Sequence, residues 1–324
     1  MGAMPMAQAA PTEVGDSDAA IDMQDLVVSY GGKRAVDGLT LRVPRGAIFG
    51  FLGPNGSGKT TTIKALLGLR PPSAGRARVL GHDVVTDSLA VRARTGYVSE
   101  VNSLYDYLTP PQIYALCRDL NRRWNQAIVD RYQRLFGLPR RGRVGQFSKG
   151  MKSQLALCLA LGSEPDLLIL DEPTAGLDPM ARHAFLNTLV SDIAAEGKTI
   201  FFSSHILSEV EAVANWVGII ARGKALVSGE LDRLKQTQRV VKLTYADAPP
   251  PEEIAALRAL PGVTRLEQEG RVVRLIARGD VDGLLQAARA RPYPLRDLDA
   301  VDMNLEDLFL EYMKEAGDGR QGAD

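Results

Sequence analysis

Apolar residues follow two patterns along this chain, one typical of strands and one typical of helices. Short runs rich in Val, Leu and aromatic residues predict three early strands, at 26–30, 39–43 and 47–52. Apolar positions then recur at helical spacing through much of 101–165. Near-continuous apolar runs return and predict further strands, at 167–170, 199–203 and 217–221. Such strands, separated by helices, indicate an α/β fold with a parallel sheet covered on both faces.

The pattern changes near 231–239. Beyond it, the apolar positions predict the order β-α-β-β-α-β between 240 and 300, which indicates a small α+β, ferredoxin-like unit. An amphipathic helix is predicted at 305–313. The expected organisation is given by four ranges: a disordered leader at 1–20, a main domain at 21–235 with a helical subdomain at about 101–165, an accessory α+β domain at 236–316, and a disordered tail at 317–324.

Composition narrows the classes of function. Lys+Arg and Asp+Glu are equal at 39 each, so charge gives no reason to expect nucleic-acid binding. The two cysteines, Cys117 and Cys158, lie in apolar segments of helical pattern, which favours a reducing, cytoplasmic setting. No segment has the roughly 20 apolar residues that span a bilayer. We therefore expect any membrane-spanning part to belong to another chain.

A phosphate-binding loop follows the third predicted strand. Residues 53–60 fit the pattern G-x-x-x-x-G-K-[ST] at every fixed position, and a helix is predicted from residue 59. Backbone N–H groups at a helix N-terminus bind phosphate, and we expect Lys59 to reach the β- and γ-phosphates and Thr60 to coordinate Mg²⁺. The predicted nucleotide-binding residues of this loop are Gly53, Pro54, Asn55, Gly56, Ser57, Gly58, Lys59, Thr60 and Thr61.

Three further segments follow in order. They are Phe-Ser-Lys-Gly-Met at 147–151, Leu-Leu-Ile-Leu-Asp-Glu-Pro-Thr-Ala-Gly-Leu-Asp at 167–178, and His205 after a predicted strand. With the phosphate loop, this order resembles the ATP-binding subunits of ABC transporters over about 22–235. The segment at 147–151 resembles their signature segment, usually Leu-Ser-Gly-Gly-Gln, which acts on ATP held by the partner subunit.

An acidic pair ends one of the predicted strands. Asp171 and Glu172 follow the run 167–170 and should emerge at the carboxyl edge of the sheet, where ligands bind. We expect Asp171 to hold Mg²⁺ and Glu172 to polarise the attacking water, because adjacent strand residues face opposite sides. An isolated acidic pair would be an ordinary solvated strand end. The resemblance favours catalysis and also implies that His205, otherwise read as a structural residue, contacts the γ-phosphate.

Two more positions take roles from the resemblance. Tyr30 corresponds to an aromatic residue that stacks on adenine, although an ordinary surface tyrosine is the alternative. Glu100 occupies the loop where many ABC ATPases place glutamine. A carboxylate can accept a hydrogen bond from Mg²⁺-bound water but cannot donate one when ionised. Glu100 is thus a candidate metal-site residue and a variant one.

The signature segment is also a variant. Ser148 and Gly150, which the resemblance places near the opposite γ-phosphate, are retained, whereas Lys149 and Met151 replace glycine and glutamine. The helix that follows would direct its N-terminal dipole toward that phosphate. Asp178 lies in the turn that the resemblance places across the dimer interface, linking the two sites.

The resemblance implies an ATPase that dimerises head-to-tail, as a homodimer or with a paralogous ATPase. Its cofactors would be ATP and Mg²⁺, and it would drive a separate transmembrane permease from the cytoplasmic face of the membrane. The appended region ending at 304–310 resembles the ATPases of ABC-2-type exporters, and we expect it to stabilise the dimer or regulate it; ligand sensing is the alternative for it. For the whole protein, the alternative is a soluble ABC ATPase with a regulatory or translation-related role.

Overall fold

A computed structural model describes residues 18–101, 104–236 and 238–318. The chain forms two compact units, one that extends to Gly229 and one at Glu230–Lys314. The sequence-based boundary placed residues up to 235 in the main domain, whereas the second unit begins at Glu230. Within the described residues, none of the helices combines the length and the apolar character needed to cross a membrane.

The first unit contains two sheets. Its strands are β1 (Ala19–Tyr30), β2 (Lys33–Pro44), β3 (Ile48–Leu52), β4 (Ala74–Val79), β5 (His82–Asp83), β6 (Thr95–Val98), β7 (Leu167–Asp171), β8 (Thr199–Ser204), β9 (Trp216–Ala221) and β10 (Lys224–Glu230). An antiparallel sheet has the order β2-β1-β4-β5, and a six-stranded sheet has the order β10-β9-β3-β8-β7-β6. The strands predicted from apolar runs are confirmed, and the first two extend further than predicted.

Helices cover the sheets. They are α1 (Lys59–Leu66), α2 (Ser88–Arg94), α3 (Pro110–Leu120), α4 (Gln126–Leu135), α5 (Lys149–Gly162), α6 (Pro179–Thr188) and α7 (Leu207–Val213). A short 3₁₀ turn lies at Val144–Gln146, and a π-helical segment at Leu189–Ala194 continues α6. As predicted, the region between β6 and β7 is mostly helical.

The parallel strands bring the predicted site segments together. The pairs β3–β8, β7–β8, β3–β9 and β6–β7 are all parallel. In register, Leu52 faces Ser204 and Asp171 faces Ser203. The loop after β3, the acidic pair after β7 and the histidine after β8 therefore leave the sheet at one edge. Buried rings fix this register, with Phe49 and Phe51 packed against Phe201 at centroid distances of 5.6 and 5.1 Å.

The second unit is an antiparallel sheet with helices. Its elements are α8 (Leu231–Gln236), β11 (Gln238–Tyr245), α9 (Pro251–Arg258), β12 (Val263–Glu269), β13 (Val272–Arg278), α10 (Val281–Arg289), β14 (Leu295–Asp302) and α11 (Leu305–Asp318). The strand order is β12-β13-β11-β14, with every pairing antiparallel. From β11 to β14 this is the predicted β-α-β-β-α-β order. Its core includes a buried carboxylate, Glu253, which accepts hydrogen bonds from Arg291 and Tyr245.

Two predicted disordered ends are shorter than expected where the structure describes them. Strand β1 begins at Ala19, inside the predicted leader, because Ala19 and Ala20 are buried in the first unit. Helix α11 continues to Asp318, two residues into the predicted tail. The remainder of both segments, 1–17 and 319–324, lies outside the described residues.

Candidate active site

A cavity of about 730 Å³ opens at the carboxyl edge of the parallel sheet. It is bordered by the phosphate loop and by the segments that follow β7 and β8. Most of the predicted nucleotide-site residues of the phosphate-loop half line it, namely Tyr30, Asn55, Gly56, Ser57, Gly58, Lys59, Thr60, Thr61, Glu100, Glu172 and His205. One face of the subunit thus gathers residues that are far apart in the sequence.

Contacts of Gly58 and Lys59 hold the phosphate loop in its shape. Gly58 caps α1 at a φ of 110°, and a Cβ there would lie 2.6 Å from the carbonyl oxygen of Ala35, so only glycine fits. The Lys59 ammonium crosses the loop and donates to the Gly53 carbonyl at 2.7 Å and to that of Pro54 at 3.5 Å. Gly53 and Pro54 therefore shape the loop without lining the cavity.

The Ser57 hydroxyl of this loop has no hydrogen-bond partner among the described residues. Its Oγ is buried. Buried polar groups are normally paired, so an orphan hydroxyl in a loop of this kind fits a ligand that completes it. Together with the buried Lys59 cation and the N-terminus of α1, the loop suits a triphosphate.

Lys59, Glu172 and His205 form a bonded group on the cavity wall. The Lys59 Nζ lies 3.3 Å from Glu172 Oε1, and the two side chains are 7% and 9% exposed. The His205 Nδ1 lies 2.7 Å from Glu172 Oε2. Since an ionised carboxylate only accepts hydrogen bonds, this contact requires the proton on Nδ1 and directs Nε2 away from Glu172. One carboxylate therefore joins the phosphate loop to the segment after β8.

The backbone at the acidic pair is constrained. Glu172 has a φ of 47°, an uncommon value for a residue other than glycine. Its N–H donates to the Ser203 Oγ at 3.0 Å, and that hydroxyl donates to Asp171 Oδ1 at 2.7 Å. The strained turn directs Glu172 into the cavity wall, whereas Asp171 is buried beside β8 and does not line the cavity.

Tyr30 is placed at the mouth of the cavity. Its ring is 41% exposed, and the Arg70 guanidinium lies over it, 4.5 Å from the ring centroid. Arg70 also donates to the Ser29 carbonyl at 2.7 Å, which fixes the cation in that place. Tyr30 is therefore held from one side, in a position suited to stacking.

Four lining residues were not singled out from the sequence: Lys33, Arg34, Ala35 and Arg222. Arg222 has a φ of 51° in the turn between β9 and β10. The next residue, Gly223, donates to the Ser57 carbonyl at 2.8 Å and accepts from the Asp37 N–H at 2.9 Å. Arg34 pairs with Asp37 and holds the pKa of that carboxyl below its usual value. The Arg-Gly pair signals a turn, but nothing in the sequence places that turn under the phosphate loop.

The signature segment is not part of this cavity. Ser148, Lys149, Gly150, Met151 and Asp178 are all absent from its lining. Ser148 caps α5 by accepting from the Met151 N–H at 3.2 Å, and Asp178 caps α6 by accepting from the Ala181 N–H at 2.9 Å. The structure therefore separates these residues from the subunit's own phosphate loop.

Instead, the signature segment packs on the turn before α6. A Cβ built on Gly150 would lie 2.8 Å from Leu177 Cδ2, so glycine permits this approach. A Cβ on Gly176 would lie 2.7 Å from Lys149 Cδ, which places the stem of Lys149 over that glycine. The segments 148–151 and 176–178 form one surface, which we call the signature surface.

Comparison with known proteins agrees with this geometry. A family model described as ABC transporter matches residues 36–175. The bacitracin transport ATP-binding protein BcrA of Bacillus licheniformis is 40% identical over 222 residues, 68% of this chain and 72% of the relative. The Nod factor export ATP-binding protein I of Paraburkholderia xenovorans (strain LB400) is 34% identical over 302 residues, 90% of this chain and 96% of the relative. That alignment is long enough to include part of the second unit.

Solved structures share the fold of about two thirds of this chain. The structure of an ATP-binding subunit of an ABC transporter matches with a TM-score of 0.62 and 32% identity, over 67% of this chain and 92% of that one. A bacterial ABC transporter cassette solved as a dimer matches with a TM-score of 0.60 and 19% identity, over 65% and 98%. The predicted fold class is confirmed, and the chain belongs to the family of ABC transporter ATP-binding proteins, as an ATP-binding and ATP-hydrolysing subunit.

Proposed function

We propose that this chain drives an exporter by ATP-dependent closure of a head-to-tail dimer, formed with a second copy or with a paralogous ATPase. The observation that carries the proposal is the separation within one subunit. The cavity contains the phosphate loop and Glu172, but the signature surface, at 148–151 and 176–178, lies elsewhere. A second subunit that turns its signature surface toward this cavity completes the site, and the reverse pairing completes the other.

Lys59 and Glu172 would exchange partners when ATP enters. The γ-phosphate supplies a stronger anionic partner for the Lys59 ammonium, which now lies 3.3 Å from Glu172. Glu172 is then released to accept a proton from the attacking water, while His205, 2.7 Å away, positions the carboxylate and contacts the γ-phosphate. The contacts of Glu172 with Lys59 and His205 support the roles that we propose for Glu172 and His205.

The remaining residues would hold the ends of the nucleotide. Tyr30 would stack on adenine, and the N–H groups of the phosphate loop would bind the phosphates. From the partner, Ser148 and Gly150 would donate to the γ-phosphate at the N-terminus of α5, with Lys149 and Met151 beside them. Asp178 would lie at the interface between the two sites.

Magnesium fits the oxygen groups that are present. Thr60 and Glu100 line the cavity, and Asp171 lies at the strand end beside it. Mg²⁺ prefers hard oxygen ligands and keeps several waters, so Thr60 would bind it directly and the two carboxylates through water. When bound, the ion would neutralise charge on the β- and γ-phosphates.

The permease would dock beside Glu100. A groove of about 370 Å³ lies between β6 and the helical region and is lined by apolar and small polar residues: Thr95, Gly96, Tyr97, Ser99, Val101, Leu104, Asn121, Ala156, Leu159, Ala160 and Ser163. Val101 is 73% exposed and adjoins Glu100, which borders the ATP cavity. A short helical segment of the permease in this groove would sense nucleotide through Glu100 and hold the ATPase at the inner face of the membrane.

Export is favoured by the names of the relatives. One relative described above has Nod factor export in its name. Another is the daunorubicin resistance ATP-binding protein DrrA3 of Streptomyces coeruleorubidus, which is 38% identical over 224 residues, 68% of this chain and 71% of the relative. For the accessory domain predicted at 236–316, we propose a dimer-stabilising or regulatory role. A regulatory or translation-related ATPase is not favoured by these relatives.

The transport proposal is tested by purification from detergent-solubilised membranes of the source cell with a tagged chain. We expect a multi-helix membrane protein to co-purify. Val101→Arg should lose that partner and retain ATP binding, because its side chain is exposed in the groove. Leu89→Arg, an equally exposed site on α2, is the matched control. Recovery of ribosomes or DNA instead would contradict the proposal.

A further inference from the structure

Glu209 is a buried carboxylate outside the cavity, on helix α7. It is 5% exposed and does not line the ATP cavity. Its Oε2 accepts a hydrogen bond from the Thr174 hydroxyl at 2.6 Å and a longer one from the Ser204 hydroxyl at 3.4 Å. Its Oε1 lies 3.0 Å from the Arg182 Nε, with the geometry of an ion pair rather than of a directed hydrogen bond. One carboxylate thus joins three segments.

Each of these partners adjoins a residue of the proposed ATPase cycle. Thr174 lies in the turn between Glu172 and Asp178. Ser204 immediately precedes His205, and its hydroxyl accepts from the Ile206 N–H at 3.0 Å. Glu209 therefore sets the distance between the turn after the catalytic glutamate and the loop that carries the histidine.

Arg182 extends the connection to the signature surface. It lies in the first turn of α6, and its guanidinium also donates to the Leu177 carbonyl at 3.5 Å. The Leu177 side chain is buried and lies against Gly150, where an added Cβ would come within 2.8 Å. A continuous set of contacts runs from His205 through Ser204, Glu209, Arg182 and Leu177 to the signature segment.

The charges make this connection sensitive to change. Removing one partner of a buried ion pair leaves the other charge uncompensated, which costs more than the pair itself contributes. Loss of the Glu209 charge would leave Arg182, whose side chain is one-third exposed, without its carboxylate partner, and would weaken the hydrogen bond that Thr174 donates. The turn at 174–178 would then no longer be tied to the loop at 204–206.

We propose that Glu209, with Arg182, is a positioning pair that couples the chain's own catalytic residues to its signature segment, and thus one ATP site of the dimer to the other. The proposal rests on the head-to-tail dimer proposed above. It places no new group on the nucleotide. Its consequence is that turnover and cooperativity depend on Glu209, whereas binding of ATP to a single subunit does not.

The test is a double-mutant cycle of Glu209→Gln, Arg182→Gln and the double variant in the full chain. Phosphate release over a range of ATP concentrations gives kcat, KM and the Hill coefficient. ATP affinity of single subunits is measured with each variant placed on Ser148→Arg, which should prevent productive closure. Arg233→Gln, which removes an exposed ion pair with Glu230, is the matched control.

We expect each single variant to lower kcat by about tenfold or more and to lower the Hill coefficient from about 2 toward about 1. The double variant should be no worse than either single variant, because the two charges act as one unit. Single-subunit affinity should stay within about twofold of wild type, and Arg233→Gln should leave all readouts unchanged.

Two results would overturn the inference. One is an unchanged kcat and Hill coefficient in Glu209→Gln. The other is a fall in kcat that matches the loss of folded protein on thermal unfolding while the Hill coefficient is unchanged, which would make the pair purely structural. Failure of the proposed dimer itself is distinguishable, because wild type would then show neither cooperativity nor ATP-dependent dimerisation, and both proposals would fall together.

Discussion

The phosphate-loop cavity and the signature surface belong to one subunit but differ in how completely they are built. In the cavity, Glu172 forms an ion pair with Lys59 and a hydrogen bond with His205, and Lys59 and Glu172 are nearly buried. On the signature surface, Ser148 and Lys149 are exposed, and the Ser148 hydroxyl bonds only to its own helix among the described residues.

The difference indicates that the two regions have different tasks. Groups that must meet a phosphate in a fixed geometry are preorganised within the subunit, because fixed donors need no reorganisation when charge develops. In the proposed dimer, the groups that would release the nucleotide in each cycle are left exposed, where water can replace the partner's phosphate. In the proposed dimer, the subunit thus has a cavity whose own contacts are already formed and a signature surface that a second chain would use.

The largest expected effect is at the phosphate-loop cavity. Glu172→Gln removes the carboxylate that would accept the proton from water, so hydrolysis should fall by about 10²–10⁴-fold. ATP should still bind and hold the dimer closed, which size-exclusion chromatography with and without ATP would detect. Glu196→Gln, at an exposed carboxylate paired with Lys198, is the control. Normal turnover in Glu172→Gln would remove the catalytic assignment.

A second test asks whether the signature surface serves another subunit. Ser148→Arg should abolish hydrolysis by steric and charge conflict at the partner's phosphate, while single-subunit ATP affinity stays unchanged. Lys59→Ala should also abolish hydrolysis, but by loss of the phosphate contact. A mixture of the two variants should recover activity, because the mixed dimer has one intact site made from the loop of the first and the signature of the second.

No recovery in that mixture, despite a demonstrated mixed dimer, would contradict the head-to-tail arrangement. It would also remove the contrast between the phosphate-loop cavity and the signature surface. Each variant assayed alone at the same total concentration provides the baseline.

The smallest expected effect lies at the mouth of the cavity. Tyr30→Ala should weaken ATP affinity by about tenfold, because base–aromatic stacking contributes roughly 1–3 kcal/mol. Fluorescence titration with a nucleotide analogue would measure this. Tyr105→Ala, at another exposed tyrosine, should leave affinity unchanged. Equal affinity in Tyr30→Ala and wild type would mean that Arg70 and Tyr30 form only a surface contact.

The sequence predicted those parts of the cavity whose structure depends on residues adjacent in the chain. The phosphate loop lies directly between a buried strand and a helix, so its pattern and its context are read together at 48–66. Asp171 and Glu172 were placed at a strand end because the preceding residues are continuously apolar. Both inferences need only a few adjacent residues.

Contacts between distant segments were not predictable in the same way. Along helix α4 and at its C-terminal cap, the apolar residues Ile128, Tyr132, Leu135 and Phe136 recur at helical spacing, yet Leu135 is 58% exposed and Gln133 is buried. The Gln133 amide donates to the carbonyls of Leu138 and Pro139, so a polar residue takes an inner position and the buried face turns. The spacing of apolar residues alone does not reveal such a hydrogen bond.

By itself, the sequence determined the family, the strand and helix types and the order of the site segments, since these follow from local pattern and motif. Only the tertiary structure decided that Arg222 borders the cavity and that Glu209 ties Thr174 and Ser204 to Arg182. The physical reason is that parallel strands end at one edge, so residues far apart in the chain become neighbours there. Which side chains then meet depends on register, turns and buried charge pairs that no single segment encodes.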